Sequence, residues 1–211
     1  MPKSLNTDLK QGLEALKLEL SEESQKACLK YIDLIIKWNN ISNLTSITDK
    51  HEILIKHLLD SLAIQGYIAN RQLLDVGTGA GLPGIPLALS NSELAVTLLD
   101  SNGKKVRFLK QMIIDLPLKN VSTIKGNVQN LDVRFPVVIS RAVGSVEHCL
   151  NIMRPACLPQ AQVLLMKGKY PEKELQQLPQ DFIIKDVPVI HVPRLNAERH
   201  LVIAEYTPKN H

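Results

Sequence analysis

The sequence predicts an α/β protein whose main domain contains a Rossmann-like, mostly parallel β-sheet. Near residue 70 the hydrophobic pattern changes from helical spacing to short apolar runs, stretches of helical character separate these runs, and a glycine-rich loop follows the first of them. Apolar runs that alternate with helices are typical of parallel strands buried on both faces. We therefore divide the chain into an N-terminal helical extension, residues 1–70, and an α/β domain, residues 71–211.

The N-terminal extension shows the apolar spacing of helices. Its first helix is predicted by residues spaced three and four apart, namely Leu9, Leu13, Leu16 and Leu20. Ser21 is the expected N-cap of a second helix, which we expect to end before a loop at residues 39–43. Asp49 is the expected N-cap of a third helix that reaches about Gly66.

The α/β domain is predicted to hold five parallel strands followed by an antiparallel hairpin. The apolar runs that predict the parallel strands are residues 73–76, 95–99, 121–124, 137–139 and 163–166. The predicted crossover helices are residues 83–91, 102–115, 145–154 and 171–178. Residues 182–190 and 199–206 have no long helix between them, so we expect a hairpin with an antiparallel strand at or near the sheet edge.

The composition is typical of a cytoplasmic protein without membrane helices. No apolar run approaches the about 20 residues that a membrane helix needs, and the polar N-terminus does not resemble a signal peptide. The cysteines Cys28, Cys149 and Cys157 form no CxxC pair and are expected to be buried thiols. Residues 71–211 hold 17 basic and 12 acidic residues, against 8 and 9 in residues 1–70. This excess permits a nucleic-acid partner without requiring one.

The glycine-rich loop at residues 77–84 is the first candidate functional site. It joins the first predicted strand to the first crossover helix, where such sheets bind nucleotide-like ligands. Glycine lets a ligand lie against the backbone, and the following helix N-terminus offers free N–H groups. The candidate cofactor-binding residues of the loop are Gly77, Thr78, Gly79, Gly81 and Leu82. The alternative is an ordinary tight turn.

Three features favour S-adenosylmethionine over a nicotinamide as the ligand, although residues 79–84 satisfy the GxGxxG dinucleotide pattern. The glycine series already begins at Gly77. Asp75 stands where dinucleotide folds usually carry an apolar residue, and its carboxylate suits the ammonium group of a methionine moiety. Pro83 and Pro86 remove N–H groups that a pyrophosphate would use.

Asp100 ends the second predicted strand and can accept hydrogen bonds from both ribose hydroxyls of an adenosine. Because NAD would use this carboxylate in the same way, Asp100 indicates an adenosine-type ligand without choosing between the two. The alternative is a helix cap for the segment that starts at Asn102.

Two common methyl-transfer chemistries lack their motifs. Exocyclic amine methylation typically uses an Asn/Asp-Pro-Pro-aromatic motif after the fourth strand, where this chain has Ile-Ser-Arg-Ala at residues 139–142. Pyrimidine carbon-5 methylation needs a nucleophilic cysteine in a defined loop, and Cys157 has the wrong spacing for it.

Several phrases in order resemble the bacterial glucose-inhibited division protein B family, the small-subunit (16S) ribosomal RNA guanine-N7 methyltransferases. The phrases are residues 38–46 (WNNISNLTS), 57–61 (HLLDS), 75–86, 99–101 (LDS), 104–109 (KKVRFL), 140–142 (SRA), 167–168 (KG) and 198–200 (ERH). They cover about residues 38–200. The resemblance implies the class I methyltransferase fold, S-adenosylmethionine as cofactor and ribosomal RNA, free or in a ribonucleoprotein particle, as partner.

The resemblance also implies particular contacts. The methyl donor would contact Gly77 and Leu82, then Val128 and Gln129 near the adenine, and Arg141 after the fourth strand. The family often has an acidic residue where Gln129 stands, but an amide can still hydrogen-bond an adenine amine.

Methyl transfer to guanine N7 would need alignment more than acid–base chemistry. N7 carries a lone pair and no proton, so it can attack the sulfonium methyl directly, and alignment of this kind can supply about 7–11 kcal/mol. Arg141 is the candidate catalytic residue, because it could hydrogen-bond guanine O6 or a phosphate while N7 stays free. The alternative is a structural ion pair at the sheet edge.

The candidate RNA-binding residues are Asn43, Lys104, Lys105, Arg107, Lys167, Arg199 and His200. The lysines and arginine after Asp100 spread around a helix, so a solvated helix face is the alternative for them. His57 and His200 are alternatively buried structural histidines. We expect a monomer. Competing functions are methylation of another RNA, a protein or a small molecule, nicotinamide-dependent oxidoreduction, and RNA binding without catalysis.

Overall fold

The computed structural model describes residues 4–141 and 144–208. The N-terminal part contains α1 (Leu5–Ala15), α2 (Glu22–Ser42), α3 (Lys50–Ile53), a π-helical segment (Leu54–Leu59) and α4 (Asp60–Leu62). The remainder contains β1 (Gln72–Val76), α5 (Gly84–Ser90), β2 (Ala95–Asp100), α6 (Gly103–Asp115), β3 (Val121–Lys125), β4 (Phe135–Arg141), α7 (Val146–Met153), β5 (Cys157–Lys167), β6 (Phe182–Asp186) and β7 (His200–Tyr206).

The seven strands form one sheet of order β3-β2-β1-β4-β5-β7-β6. Strands β1 to β5 are parallel, whereas β7 runs antiparallel to both β5 and β6. The predicted fold class is therefore confirmed, including the antiparallel strand near the edge. Because β1 lies between β2 and β4, the loops that follow these three strands meet at the same edge of the sheet.

The predicted helix caps are confirmed, because they depend on hydrogen bonds within a few residues. Ser21 Oγ accepts from the Ser24 N–H at 3.1 Å, and Asp49 Oδ1 accepts from the Glu52 N–H at 2.9 Å. Each side chain thereby satisfies one of the N–H groups that have no partner within the helix.

Two predicted ends of the N-terminal helices are wrong. The first helix ends at Ala15 and does not include Leu20, because Lys17 turns the chain with a φ of +56°. The predicted loop at residues 39–43 is helical as far as Ser42. Asn43 then ends the helix in the left-handed conformation that asparagine tolerates, and its N–H donates to the Asn39 carbonyl at 3.1 Å.

The predicted helix at residues 171–178 is also wrong, since that segment contains only the 3₁₀ turn Glu174–Gln176. The Glu174 carboxylate binds the Lys167 ammonium group at 2.7 Å and accepts from the Val146 N–H at 2.6 Å. These contacts tie the segment to the end of β5 and the start of α7. The last predicted strands are shorter than expected, and β6 stops at Asp186.

The core forms two hydrophobic clusters. One contains α1, α2, α5 and α6 together with β-strand residues, and the other contains α7. The helices of the N-terminal extension thus share a cluster with strand residues, while the division at residue 70 stays a prediction. All three cysteines are buried, and none of them forms a disulfide bond. Among the helices of residues 4–141 and 144–208, none is both long and apolar enough to cross a membrane.

Candidate active site

The glycine loop lies at the C-terminal end of β1, against the end of β2. The N–H groups of Gly77 and Thr78 donate to the Leu99 carbonyl at 2.9 and 3.1 Å. Gly77 and Gly79 have φ values of +67° and +60°, which glycine adopts without the steric cost of a Cβ. The turn therefore requires glycine, and it brings the loop backbone next to Asp100 at the end of β2.

The glycines of the loop serve different purposes. A Cβ on Gly81 would lie 2.4 Å from Ile85 Cδ1, and one on Gly84 would lie 2.4 Å from Leu98 Cδ2, so both positions are needed for internal packing. A Cβ on Gly79 would lie no closer than 3.9 Å to its nearest neighbours, the Gly77 carbonyl oxygen and the Lys105 Nζ. Gly79 is therefore the position where the backbone leaves space for a ligand.

Asp75 is fully buried beneath this loop and holds it in place. Its Oδ2 accepts from the Thr78 hydroxyl at 2.6 Å and from the Gly84 N–H at 2.9 Å. Its Oδ1 is buried without a hydrogen-bond partner among the described residues. Burial raises the pKa of the Asp75 carboxyl to about 6. An unpartnered buried oxygen is costly unless a ligand group or a water donates to it, which fits the predicted ammonium contact.

Asp100 joins the glycine loop to α6. Its Oδ2 accepts from the Gly79 N–H at 2.9 Å, and its Oδ1 accepts from the Asn102 N–H at 2.8 Å. The N-cap of α6 is Asn102, whose side chain accepts from the N–H groups of Lys104 and Lys105. Each Asp100 oxygen keeps a lone pair for a further donor such as a ribose hydroxyl.

The residues predicted near the adenine follow β3 at the same sheet edge. Val128 and Gln129 lie in the 3₁₀ turn Val128–Asn130. Val128 is buried in the cluster of α7, whereas Gln129 is exposed. The Gly126 N–H donates to the Asp100 carbonyl at 3.2 Å and links this loop to the end of β2.

Arg141, at the end of β4, binds the N-terminal extension. Its Nη1 lies 3.2 Å from Asp60 Oδ2 and 3.2 Å from the Lys56 carbonyl oxygen. Arg199, just before β7, binds the other Asp60 oxygen through Nε at 2.7 Å. Two guanidinium groups thus neutralise one carboxylate whose side chain is only 4% exposed. The structural ion pair that was the alternative for Arg141 is present, and its role at the transfer centre stays a prediction.

His57 lies in the π-helical segment beside Arg141. Its Nε2 is 2.7 Å from the Thr45 hydroxyl, and its Nδ1 is 2.9 Å from the Lys56 carbonyl oxygen. Burial, followed by the positive charge of Arg141, lowers the pKa of His57 to about 4. His57 is therefore a neutral, buried histidine at neutral pH. π-Helical segments are often found at functional sites.

Two predicted RNA-binding residues, Lys167 at the end of β5 and Arg199 just before β7, line a cavity of about 690 Å³ that Arg141 also lines. Lys167 donates to the Gly144 carbonyl at 2.9 Å, in addition to its ion pair with Glu174. His200 is buried, and its Nδ1 lies 2.9 Å from the Gly168 carbonyl oxygen. The predicted residues Arg141, Lys167 and Arg199 line one cavity, whereas His200 supports its wall.

The basic residues of α6 divide into two groups. Lys105 points toward the glycine loop, with its Nζ 3.9 Å from Asp100 Oδ2. Lys104 and Arg107 line a separate cavity of about 590 Å³ together with Lys110 and Lys125. Asn43, at the end of α2, is exposed and lines neither cavity.

Sequence reasoning missed two residues that organise this site. The hydroxyl of Tyr31, on the buried face of α2, donates to the Ala80 carbonyl of the glycine loop at 2.6 Å. Asp60 joins Arg141 to Arg199. Asp60 directly follows the apolar pair at residues 58–59, a position that suggests burial. Because a buried carboxylate needs a partner of opposite charge, this position was the available signal for an ion pair. Tyr31 carried no comparable signal.

Solved structures with the same fold include proteins described as methyltransferases. The chain is similar to an S-adenosylmethionine-dependent methyltransferase from Aquifex aeolicus, with 16% identity, 81% of this chain and 97% of that chain covered, and a TM-score of 0.57. It is also similar to TrmN from Thermus thermophilus, with 13% identity, 70% and 48% coverage and a TM-score of 0.53. At this identity the likeness establishes the fold.

Comparison with sequence relatives narrows the class of protein to a family. The family model described as GidB, rRNA small subunit methyltransferase G, matches residues 24–202. The protein named ribosomal RNA small subunit methyltransferase G from Acinetobacter baumannii is 45% identical over 203 residues, covering 94% of this chain and 96% of the relative. The protein of the same name from Alteromonas mediterranea is 42% identical over 200 residues, with 94% and 95% coverage.

The fold and the named relatives define an S-adenosylmethionine-dependent methyltransferase. The match over residues 24–202, together with relatives of this similarity, shows that the chain belongs to the GidB family of small-subunit ribosomal RNA methyltransferases.

Proposed function

We propose that the protein transfers the methyl group of S-adenosylmethionine to N7 of one guanosine in small-subunit ribosomal RNA. The supports are the family membership and the chemistry of the cavity beside Arg141. The names of the relatives state the RNA but not the base. The base follows from the resemblance to the guanine-N7 methyltransferases, and the chemistry of the site suits it.

The observation that carries this proposal is that the side chains of the cavity that could act as general bases already have partners. Asp60 is bound by two arginines, Glu174 is bound by Lys167, and both ring nitrogens of His57 have partners. Burial raises the pKa values of the Cys28 and Cys157 thiols to about 12, which disfavours a cysteine nucleophile. An acceptor that has a lone pair and no proton to lose, such as guanine N7, suits such a site.

The cofactor, on this proposal, lies along residues 77–82 with its sugar toward Asp100. Its methionine ammonium group would reach the free oxygen of Asp75, and its adenine would lie near Val128 and Gln129. Arg141 would face the acceptor base or a phosphate from the side of β4. When bound, the cofactor supplies an electrophilic methyl group, and the residues of this chain supply its alignment with N7.

The oligomeric state, the cell compartment and the form of the RNA substrate belong to the same proposal. We propose that the protein acts as a monomer in the cytoplasm, on ribosomal RNA that is free or assembled with ribosomal proteins. Methylation of protein-free RNA and of assembled subunits, measured side by side, distinguishes these two substrates.

The test is mass mapping of modified bases in small-subunit ribosomal RNA from cells with and without the gene. We expect a single 7-methylguanosine to disappear on deletion and to return when the purified protein and S-adenosylmethionine are added. An identical set of methylated bases in both strains would contradict the proposal.

A further inference from the structure

The cavity of about 690 Å³ lies at the C-terminal ends of β4 and β5. Arg141 at the end of β4 and Lys167 at the end of β5 line it, and the loop after β5 forms its outer wall. Because β1, β4 and β5 are consecutive parallel strands of the sheet, the ends of β4 and β5 lie at the same sheet edge as the glycine loop. Its volume is within the about 300–1,000 Å³ of small-molecule sites.

The cavity carries a net positive charge. Its two acidic residues, Asp60 and Glu174, are both neutralised by ion pairs with residues of the same cavity. Lys169 also lines the cavity, and no acidic partner for it is found among the described residues. This balance suits an anionic polymer such as RNA.

Tyr170 is an aromatic residue at this cavity that the proposed function has not used. It lies in the outer wall and is 52% exposed. Its ring meets the His200 ring edge-on, with 5.5 Å between centroids and 78° between planes. His200 is itself held by the Gly168 carbonyl. The exposed ring is thus supported from one side.

An edge-on contact cannot cover both faces of the Tyr170 ring. In an edge-on contact, the edge of one ring points at the face of the other. If the Tyr170 ring supplies the edge, His200 covers neither of its faces. If the Tyr170 ring supplies the face, His200 covers only one of them. An exposed aromatic ring beside an unpaired lysine is a combination with which proteins hold splayed-out bases of RNA.

We propose that Tyr170 is the stacking platform for the purine ring of the acceptor guanosine, with Lys169 next to the adjoining phosphate. The inference rests on the proposed function and adds the residue that seats the base. Stacking would orient the plane of the purine while leaving N7, at its edge, open to the methyl group.

Stacking would also act on the reaction itself. The N7 lone pair forms the new N–C bond, the C–S bond breaks with its electron pair going to sulfur, and the positive charge of the sulfonium moves to the purine. No proton is transferred in this step. The negative face of an aromatic ring attracts a cation, so Tyr170 would bind the developing cationic purine more tightly than the neutral one.

The test uses three variants of the full chain: Tyr170→Phe, Tyr170→Leu and the control Ile183→Ala. Ile183 is 50% exposed on β6 and lines none of the cavities described here. Each variant is assayed for single-turnover methylation of unmodified small-subunit ribosomal RNA, for S-adenosylmethionine affinity by calorimetry, and for melting temperature.

We expect Tyr170→Phe to stay within about 2-fold of the wild-type value of kcat/KM and Tyr170→Leu to lose about 5- to 150-fold, the range that corresponds to about 1–3 kcal/mol of stacking. Cofactor affinity and melting temperature should match those of Ile183→Ala. A leucine variant with wild-type kcat/KM, or equal losses in the leucine and phenylalanine variants, would overturn the role of Tyr170. If the wild-type enzyme methylated no guanosine of this RNA, the proposed function would fail, and the assignment of Tyr170 with it.

Discussion

The Tyr31 hydroxyl donates a 2.6 Å hydrogen bond to the backbone carbonyl of Ala80, so that a helix of the N-terminal extension holds the glycine loop from below. Tyr31 is fully buried, and Ala80 is nearly so. The bond connects α2 directly to the glycine loop, 49 residues away in the chain.

Tyr31→Phe should weaken both the fold and the cofactor site. The change leaves the buried Ala80 carbonyl without a donor, which costs about 1–3 kcal/mol. We expect a lower free energy of unfolding in urea and a higher dissociation constant for S-adenosylmethionine. The matched control is Tyr67→Phe, because Tyr67 is half-buried and no hydroxyl hydrogen bond of its side chain is found among the described residues. Equal effects of the two substitutions would refute this role of Tyr31.

Gly79→Val should abolish cofactor binding while the protein stays folded. The space above Gly79 is open, so a valine side chain would occupy the ligand's place, at a cost of about 1–2 kcal/mol for the left-handed backbone. Gly84→Ala should instead lower the melting temperature, because its Cβ would overlap Leu98 Cδ2.

Calorimetry on these variants also tests the choice of cofactor. The wild-type protein should bind S-adenosylmethionine or its demethylated product in the micromolar range, and it should not bind NAD or NADP. Retention of S-adenosylmethionine binding by the Gly79→Val variant would show that the ligand does not lie along this residue.

Arg141→Ala should reduce turnover more than RNA affinity. Removal of one preorganised charged donor at a transfer centre typically costs about 100-fold in rate or more. Arg199→Ala is the informative comparison, because Arg199 binds the other oxygen of the same carboxylate. Single-turnover rates and RNA affinities are measured for both variants. Reduced RNA affinity of the Arg141→Ala variant, with full turnover at saturating RNA, would make Arg141 a phosphate contact and would contradict its catalytic role.

The buried groups Asp75 and His57 should give stability opposite dependences on pH. Folding raises the pKa of Asp75 from 3.8 to about 6. Between pH 4 and 6 the folded protein therefore holds a proton on Asp75 that the unfolded chain has lost. This contribution makes stability fall as the pH rises from 4 to 6. Folding lowers the pKa of His57 from 6.5 to about 4, so between these values the unfolded chain holds a proton that the folded protein lacks. This contribution makes stability rise as the pH rises from 4 to 6.5. Each corresponds to about 3 kcal/mol, and the two largely cancel.

Urea unfolding between pH 4 and 7 separates these two contributions. Relative to wild type, we expect Asp75→Asn to show stability that rises more steeply with pH and His57→Gln to show stability that rises less steeply or falls. Parallel stability curves for the wild type and the His57→Gln variant would contradict the neutral, buried state of His57.

The basic cavity of α6 should bind RNA through phosphates. Lys104→Gln and Lys110→Gln should weaken RNA binding and reduce the slope of log affinity against log salt by about 0.7–0.9 per lost contact. Lys26→Gln, an exposed lysine on α2, is the control. Lys105→Gln should act mainly on cofactor affinity, because Lys105 lies near Asp100 and the glycine loop. An unchanged salt slope would make this side of α6 an ordinary solvated surface.

Local patterns of the sequence were enough to predict the parts of the fold that depend on neighbours in the chain. The caps at Ser21 and Asp49 are bonds to residues three positions away, and the strands follow from apolar runs that suit a sheet covered on both faces. The glycine loop was predictable for the same reason, since its positive φ values require glycine at particular positions.

The tertiary structure decided what distant residues do for one another. Nothing near Asp60 in the sequence indicates that Arg141 and Arg199, 81 and 139 residues away, neutralise it. A carboxylate is buried only where opposite charges compensate its lost hydration, and those charges are positioned by the whole sheet. The same applies to residues 171–178, where contacts of Glu174 with β5 and α7 replaced the helix that local spacing predicted. Propensity acts over a few residues, whereas burial and charge compensation depend on the complete fold.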